Sequence, residues 1–159
     1  MEKVGIKLRP YRANDLDAMH ALDVECFDEP FRFSHSAMRH FAEAKKARVV
    51  IADDNGELLG FVILDIEDTD EGQFGYIVTL DVSPGHRRRG LAGLLMQEAE
   101  REASREGCAA VVLHVSTGNE PAIRFYEGRG FVRSYREADF YGRAIDAWVF
   151  HKPLLPADE

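Results

Sequence analysis

The sequence has few of the features of a membrane-spanning, disulfide-bonded or metal-binding chain. Its 159 residues include two cysteines, Cys26 and Cys108, which lie far apart and have no CxxC or cysteine–histidine spacing. We therefore expect two reduced thiols in or near a core, and no metal site. No apolar run approaches the roughly 18 residues of a membrane span. The first residues also lack a signal-peptide core, so we expect a cytoplasmic protein without membrane contact.

The chain also lacks an excess of basic residues. It has 20 lysines and arginines against 28 acidic residues, a net charge of −8. Nucleic-acid binding needs a basic surface, so no nucleic-acid partner is expected, whereas an acidic protein is compatible with a cationic substrate such as an amine. There are no repeats, low-complexity tracts or linkers rich in proline and glycine, and 45% of the residues are hydrophobic. We expect one globular domain over residues 1–159.

Hydrophobic periodicity predicts an α/β (α+β) fold with elements in the order β-α-α-β-β-β-α-β-α-β-β. Asn55-Gly56 predicts a type I′ hairpin turn. The strand–helix–strand unit in the middle predicts a parallel strand pair with a right-handed crossover, after an antiparallel meander. Predicted strands cover residues 5–9, 48–52, 58–66, 74–82, 109–115, 131–136 and 147–152; predicted helices cover 15–26, 34–46, 90–106 and 121–127. The apolar stripe of the third helix is predicted as Leu91, Leu94, Leu95, Ala99 and Ala103.

The most informative segment, residues 82–93, joins the central strand to this helix. Gly90 and Gly93 permit close approach of a ligand to the backbone, and the free N–H groups and dipole of the helix start favour an anion. Positive charge comes from Arg87, Arg88 and Arg89. The pattern predicts a phosphate or pyrophosphate site, and it is neither a Walker A loop nor a dinucleotide fingerprint. The alternative is a glycine-containing turn with a solvated basic run.

This segment resembles the acetyl-CoA-binding motif of the GNAT superfamily of N-acetyltransferases, whose core reads Arg/Gln-x-x-Gly-x-Gly/Ala. Arg87, Gly90 and Ala92 match the core, and an apolar strand with Val82-x-Pro84 precedes it. The resemblance implies that loop amides hold the coenzyme pyrophosphate and that the preceding strand binds the pantetheine arm through its backbone. The implied cofactor-binding residues are Leu80, Asp81, Val82, Arg87, Arg88, Arg89, Gly90, Leu91, Ala92, Gly93, Asn119 and Tyr126.

A second segment, residues 113–131, is similar to the strand, helix and Gly-Phe turn that follow in the same superfamily. The matching residues include Asn119, the Ala122-Ile123 pair, Tyr126 and Gly130-Phe131. The resemblance implies a GNAT fold: one mixed sheet of six to seven strands, four flanking helices and a splayed central parallel pair. It also implies acetyl-CoA as cosubstrate, no metal, and direct attack by an amine in a ternary complex.

Three features are similar to the protein N-terminal (Nα) acetyltransferases, including the ribosomal-protein alanine acetyltransferases. They are Leu-His-Val before the asparagine, Tyr-Ile-Val-Thr-Leu before the coenzyme loop, and the tail Asp139-Phe140-Tyr141 with Asp146-Ala147. In a eukaryotic branch acting on N-terminal methionine, a tyrosine and a histidine share the base role, which implies Tyr76 and His114 here. The bacterial branch usually has glutamate at the position of His114, so the subfamily stays open.

These residue types suit acetyl transfer to an amine. A free α-amine has a pKa of ~7.7–8 against ~10.4 for lysine, so a modest base such as histidine, which titrates near ~6.5, is sufficient. The resemblance places Tyr126 near the coenzyme sulfur as proton donor, and Asn119 on the coenzyme arm. Each of these residues also has a structural alternative: a satisfied strand histidine for His114, packing aromatics for Tyr76 and Tyr126, and a helix cap for Asn119.

The acceptor pocket implied by the resemblance consists of Phe27, Pro30, Phe31 and Tyr141, although surface or core aromatics are an alternative for these positions. The first hypothesis for function is an Nα-acetyltransferase. The second is a related enzyme acting on a small amine, an antibiotic or a lysine side chain, because fold does not fix the acceptor. The third is a non-catalytic acetyl-CoA-binding module. The expected oligomeric state is a monomer or a homodimer.

Overall fold

Seven strands and four helices follow one another in the predicted order in the computed structural model, which describes residues 5–87 and 89–155. The strands are β1 (Ile6–Pro10), β2 (Ala47–Asp54), β3 (Glu57–Thr69), β4 (Gly72–Val82), β5 (Ala110–Ser116), β6 (Val132–Glu137) and β7 (Ala147–Pro153). The helices are α1 (Leu16–Cys26), α2 (His35–Ala42), α3 (Leu91–Arg105) and α4 (Glu120–Gly128). Short 3₁₀ turns precede α1 at residues 13–15 and α3 at residues 84–86.

Side-chain caps begin two of the four helices, α2 and α4, but not α1 or α3. The hydroxyl of Ser34 accepts a hydrogen bond from the Ala37 amide at 3.1 Å and so begins α2, which ends at Ala42 and is shorter than predicted. Asp15 precedes α1 without capping it, because its carboxylate accepts hydrogen bonds from Arg9 instead. The predicted hairpin turn is confirmed, with φ of 54° at Asn55 and 94° at Gly56.

The apolar stripe of α3 differs from the prediction at one position. Leu91, Leu95, Ala99 and Ala103, spaced four apart, are buried as expected. Leu94 is 38% exposed, and Met96 is fully buried in its place. The four-residue spacing drifts around the helix, so the buried face extends to the residue that follows Leu95 and excludes the one that precedes it.

The strands form one mixed sheet in the order β1-β2-β3-β4-β5-β7-β6. The predicted parallel pair is β4 and β5, and the other neighbouring strands run antiparallel. Buried residues of α3 and α4 pack on one face of the sheet, and those of α1 and α2 pack on the other. The fold therefore presents two layers of helices with β4 and β5 at the centre of the sheet.

β4 and β5 separate soon after they meet. Their pairing consists of Gly75 with Val111 and Tyr76 with Val112, although β4 continues to Val82 and β5 to Ser116. On its other side, β4 shifts register against β3 at Val78, because Thr79 and Ile77 pair with consecutive residues of β3. Such a bulge bends and twists a strand. Together these features open a wedge between the carboxyl-terminal halves of the two central strands.

The remaining expectations from composition concern thiols, metals and membrane spans. Cys26 and Cys108 are free thiols; Cys108 is buried and Cys26 is half-buried. Over residues 5–87 and 89–155, no three histidine, cysteine or acidic side chains are grouped as metal ligands would be. Within the same ranges no helix has the length and apolar character needed to cross a membrane.

Candidate active site

A cleft of about 1080 Å³ occupies the wedge between β4 and β5. Its floor and sides come from the diverging strands, and its ends come from the segments that follow α1, β5 and β6. Because the strands do not pair with each other here, the backbone N–H and C=O groups on their facing edges need other partners. An extended amide-containing chain lying between the strands would supply them, so the wedge fits the pantetheine arm of acetyl-CoA.

The start of α3 lies at one end of this cleft. Gly90 precedes the helix with φ of 79°, a left-handed conformation that glycine adopts without strain. Arg87 lines the cleft, and its Nε donates to the Val82 carbonyl at 3.3 Å. The first-turn amides of α3 and this guanidinium form an electropositive end that suits a pyrophosphate.

The structure brings about half of the predicted cofactor residues into the cleft wall. These are Leu80, Val82, Arg87, Ala92, Asn119 and Tyr126. Arg89 and Gly90 are exposed beside the start of α3, whereas Leu91 is buried in the core beneath it. A Cβ atom on Gly93 would lie 3.3 Å from Arg129 Nη1, so this glycine permits close packing of α3 against that side chain. Arg88 lies outside the described residues.

Asp81 belongs to the strand segment whose backbone is predicted to bind the pantetheine arm, and its side chain points away from the cleft. Its side chain is 1% exposed and does not line the cleft; it faces α1, where its carboxyl group lies within hydrogen-bonding reach of Asp23. Asp81 Oδ1 accepts a hydrogen bond from Thr79, whereas Asp81 Oδ2 and Asp23 Oδ1 have no donor. Burial, followed by the adjacent Asp23, raises the pKa of Asp81 well above its usual range. Asp81 therefore keeps a proton that it can donate to Asp23.

Tyr126 and Asn119 lie where α4 borders the cleft. Tyr126 is 8% exposed, and its ring contacts Phe125 and Phe131 edge-on. Burial raises its pKa, as do the nearby Asp81 and Tyr141, so the phenol keeps its proton and can donate it. Asn119 caps α4 by accepting from the Ala122 amide at 3.2 Å, so its capping role is confirmed while it also lines the cleft.

Tyr76 and His114 form one hydrogen-bonded unit on the same face of the sheet as α1 and α2. The Tyr76 hydroxyl lies 2.7 Å from His114 Nδ1. His114 lines the cleft, whereas Tyr76 lies behind it and is half-buried. Burial raises the pKa of Tyr76, with smaller contributions from Tyr141, Glu137 and Glu67. The two residues predicted for the base role are therefore in direct contact.

Two further residues contact His114 that were not among the predicted site residues. Glu137 Oε1, at the end of β6, lies 2.9 Å from His114 Nε2. The Phe140 ring stacks on the imidazole with centroids 3.7 Å apart and an interplanar angle of 4°. Both come from the end of β6 and the loop after it. β6 is separated from β5 by β7, so Glu137 and Phe140 reach His114 across that strand. Local sequence does not reveal this placement.

The acceptor side of the cleft is aromatic. Phe27 and Phe31, from the α1–α2 loop, face Tyr141 from the β6–β7 loop, and the Phe31 and Tyr141 rings meet edge-on at 4.9 Å. Burial raises the pKa of Tyr141 to about 12. Pro30 is half-buried in the same loop but does not form part of the cleft wall. Three of the four predicted acceptor residues therefore lie together.

Comparison with known proteins agrees with this geometry. Residues 16–131 match the acetyltransferase (GNAT) family. Over 158 residues the chain is 31% identical to the N-terminal acetyltransferase complex ARD1 subunit homolog of Dictyostelium discoideum, covering 97% of this chain and 76% of that protein.

Two solved structures share the fold. Arabidopsis thaliana NAA60 in complex with a bisubstrate analogue superposes with a TM-score of 0.82 at 27% identity, covering 96% of this chain and 99% of that one. The ribosomal-protein-S18-alanine N-acetyltransferase from Escherichia coli gives 0.83 at 22% identity, covering 97% of each chain. The chain belongs to the GNAT family and is an N-acetyltransferase that takes its acetyl group from acetyl-CoA.

Proposed function

We propose that this enzyme acetylates the α-amine of a peptide or protein N-terminus. The observation that carries the proposal is the hydrogen-bonded Tyr76–His114 pair on the acceptor face of the wedge. A hydroxyl and an imidazole can remove a proton from an α-amine, whose ordinary pKa lies near ~8, more readily than from lysine at ~10.4.

The composition of the cleft wall favours a peptide over a polycationic small molecule. Among the described residues that line the cleft, the single carboxylate belongs to Asp146. That carboxylate is already bound by Arg136 Nε and by the Asp139 amide, each at 2.8 Å. A polyamine or aminoglycoside would find little negative charge here, whereas the aromatic wall of Phe27, Phe31 and Tyr141 suits the first side chain of a peptide.

The residues of the cleft have distinct parts in the proposed reaction. Acetyl-CoA supplies a thioester-activated acetyl group. The start of α3 and Arg87 hold its phosphate end, and the open edges of β4 and β5 hold its arm. Tyr76 and His114 accept the amine proton, directly or through a water. Tyr126, which keeps its own proton, donates it to the departing coenzyme sulfur. Asn119 lines the path of the arm.

The relatives support the same acceptor. The Dictyostelium protein is named as a subunit of an N-terminal acetyltransferase complex, and NAA60 was crystallised with an analogue that joins both substrates. By extension, residues 1–159 act as one N-acetyltransferase domain, and the proposed acceptors are cytoplasmic proteins.

A free-thiol assay with acetyl-CoA tests the proposal. The acceptors are peptides starting with Met, Ala and Ser, an N-blocked peptide that contains lysine, and spermidine. We expect CoA release only with free peptide N-termini, with rates that rank the preferred first residue. Each peptide with its N-terminus blocked is the matched control. Release confined to spermidine or to lysine would overturn the proposal and assign the enzyme to small amines or side chains.

A further inference from the structure

We propose that Glu137 is a positioning residue that fixes the tautomer of His114 and thereby makes Tyr76 the group that receives the acceptor's proton. The inference rests on the base role assigned to Tyr76 and His114 under the proposed function, and it adds the residue that sets their order. Glu137 contacts His114 of the cleft wall but does not itself line the cleft, so it acts through His114 and not on the reacting atoms.

The hydrogen bonds at the imidazole determine which nitrogen carries the proton. An ionised carboxylate can only accept, so the 2.9 Å contact between Glu137 Oε1 and His114 Nε2 requires the proton on Nε2. In the neutral ring Nδ1 is then an acceptor, and the Tyr76 hydroxyl at 2.7 Å must donate to it. Both ring nitrogens are thus engaged before the acceptor binds.

This arrangement leaves the phenol oxygen of Tyr76 as the free acceptor of the unit. Because Tyr76 lies behind the cleft wall, a water bound to the amine gives a proton to that oxygen while the Tyr76 proton moves to His114 Nδ1. The imidazolium formed in this step lies against the Glu137 carboxylate, which stabilises its charge. One proton enters at Tyr76, one leaves Tyr76 for His114, and no other group is consumed.

Aromatic packing fixes the orientation of the His114 ring between Tyr76 and Glu137. The His114 ring stacks on Phe140, which in turn meets Tyr141 edge-on at 4.9 Å. The His114 side chain is 14% exposed and that of Glu137 is 45% exposed. The carboxylate therefore acts from a partly solvated position, and its removal should weaken the relay without abolishing it.

The test compares Glu137→Gln and Glu137→Ala with Glu127→Gln. Glu127 is the matched control because its side chain is also 45% exposed and ion-paired, to Arg133, away from the cleft wall. We expect both Glu137 variants to lower kcat on the order of tenfold with a nearly unchanged KM for acetyl-CoA. The control should match the unmodified enzyme, and thermal melting would show that each variant folds.

The pH profile separates positioning from a merely structural effect. Without the carboxylate the imidazolium loses its partner, so the acid limb of kcat/KM should move to lower pH in the Glu137 variants. Other ionisable groups that act on Tyr76 are Tyr141 of the β6–β7 loop and Glu67 of β3. Asp65, followed by burial, raises the pKa of Glu67 to about 7. The pH profile of Glu67→Gln must therefore be measured beside those of the Glu137 variants, and its acid limb of kcat/KM should be unchanged.

Nitrogen-15 NMR of the histidine side chains reads the tautomer directly, with His114→Ala identifying the signal. The proposal expects protonated Nε2 in the unmodified enzyme and a mixed tautomer in Glu137→Gln. Protonated Nδ1, or an unmoved acid limb, would overturn the role of Glu137. If His114→Ala itself keeps full kcat, the base assignment under the proposed function fails instead, so the two failures are distinguishable.

Discussion

The contacts of His114 separate its role in chemistry from any role in coenzyme binding. It lies on the acceptor face beside Tyr76, whereas the phosphate end of the cleft lies at Arg87 and α3. His114→Ala should therefore lower kcat by about 100-fold or more and leave the acetyl-CoA Kd unchanged. Steady-state kinetics with the best peptide and calorimetric titration with acetyl-CoA measure the two quantities.

Two further variants are compared with His114→Ala: Tyr76→Phe as a second test and His151→Ala as the control. Tyr76→Phe keeps the ring and removes the hydroxyl, and it should lower kcat in the same direction. His151→Ala replaces another strand histidine, one that does not line the cleft, and should have little effect. A loss of acetyl-CoA affinity as large as the loss of kcat would show that His114 is structural.

Individual residues of the site differ in how far sequence reveals them. Tyr76, His114 and Asn119 lie within local motifs, and the structure places His114 and Asn119 in the cleft wall with Tyr76 directly behind His114. Glu137 lies in no motif, because its contact with His114 depends on the placement of β6 beyond β7. Asp23 and Asp81 interrupt apolar patterns, and that is the local signal that they occupy buried positions.

At the level of elements, Gly90 determines how α3 begins. Its φ of 79° disfavours any side chain, and a β-branched residue most of all. Gly90→Val should cost about 1–3 kcal/mol in backbone strain or turn the first amides of α3 away from the pyrophosphate. We expect acetyl-CoA affinity to be lost in an equilibrium titration.

Folding must be monitored separately in this experiment. Gly90→Ala is a milder variant that should weaken binding while the protein stays folded. Gly85→Ala is the control in the same loop: φ there is not positive, and a Cβ would meet nothing within 4 Å. Unchanged acetyl-CoA affinity in folded Gly90 variants would remove the pyrophosphate site from this loop.

Local patterns predict the order and type of the elements, whereas the splayed central pair is predicted by the family resemblance alone. Periodicities of two and 3.6 residues identify strands and helices locally, and the strand–helix–strand unit fixes a parallel pair. The separation of β4 from β5 after Tyr76 and the bulge at Val78 depend on pairing register. Register is decided by packing between distant segments, so no local pattern predicts it.

On the scale of the whole molecule, the buried carboxyl pair joins helix α1 to the central strand β4. Asp23 on α1 accepts from the Phe33 amide at 2.7 Å and so ties down the α1–α2 loop that carries the acceptor wall. The same residue faces Asp81 on the strand that leads to the coenzyme loop. Protonation of this pair therefore influences the stability of both sides of the cleft.

The contribution of Asp81 to the free energy of unfolding should fall as pH rises above about 4, the pKa of an unperturbed aspartate. Because burial raises the pKa of Asp81 above its value in the unfolded chain, the folded protein holds this proton more tightly. That stabilisation is fully present below about pH 4, near the unfolded pKa, and is lost as pH rises toward the folded pKa. Asp81→Asn keeps an acceptor for Thr79 and offers an N–H to Asp23 without ionising. It should gain about 1.4 kcal/mol over the unmodified protein at pH 8 for each unit by which folding raises the Asp81 pKa, and little at pH 3.

Asp15 supplies the opposite case within the same chain. Its hydrogen bonds with Arg9 lower its pKa, so its contribution to stability is present above the unfolded pKa and is lost as pH falls through the folded one. Asp15→Asn should therefore be less stable than the unmodified protein at pH 7 and approach it in acid. Urea unfolding of both variants from pH 3 to pH 8 gives the two slopes. An equal gain for Asp81→Asn at pH 3 and pH 8 would mean that packing, not ionisation, limits this core. Because the Asp81 side chain faces α1, its replacement should also leave the acetyl-CoA Kd unchanged.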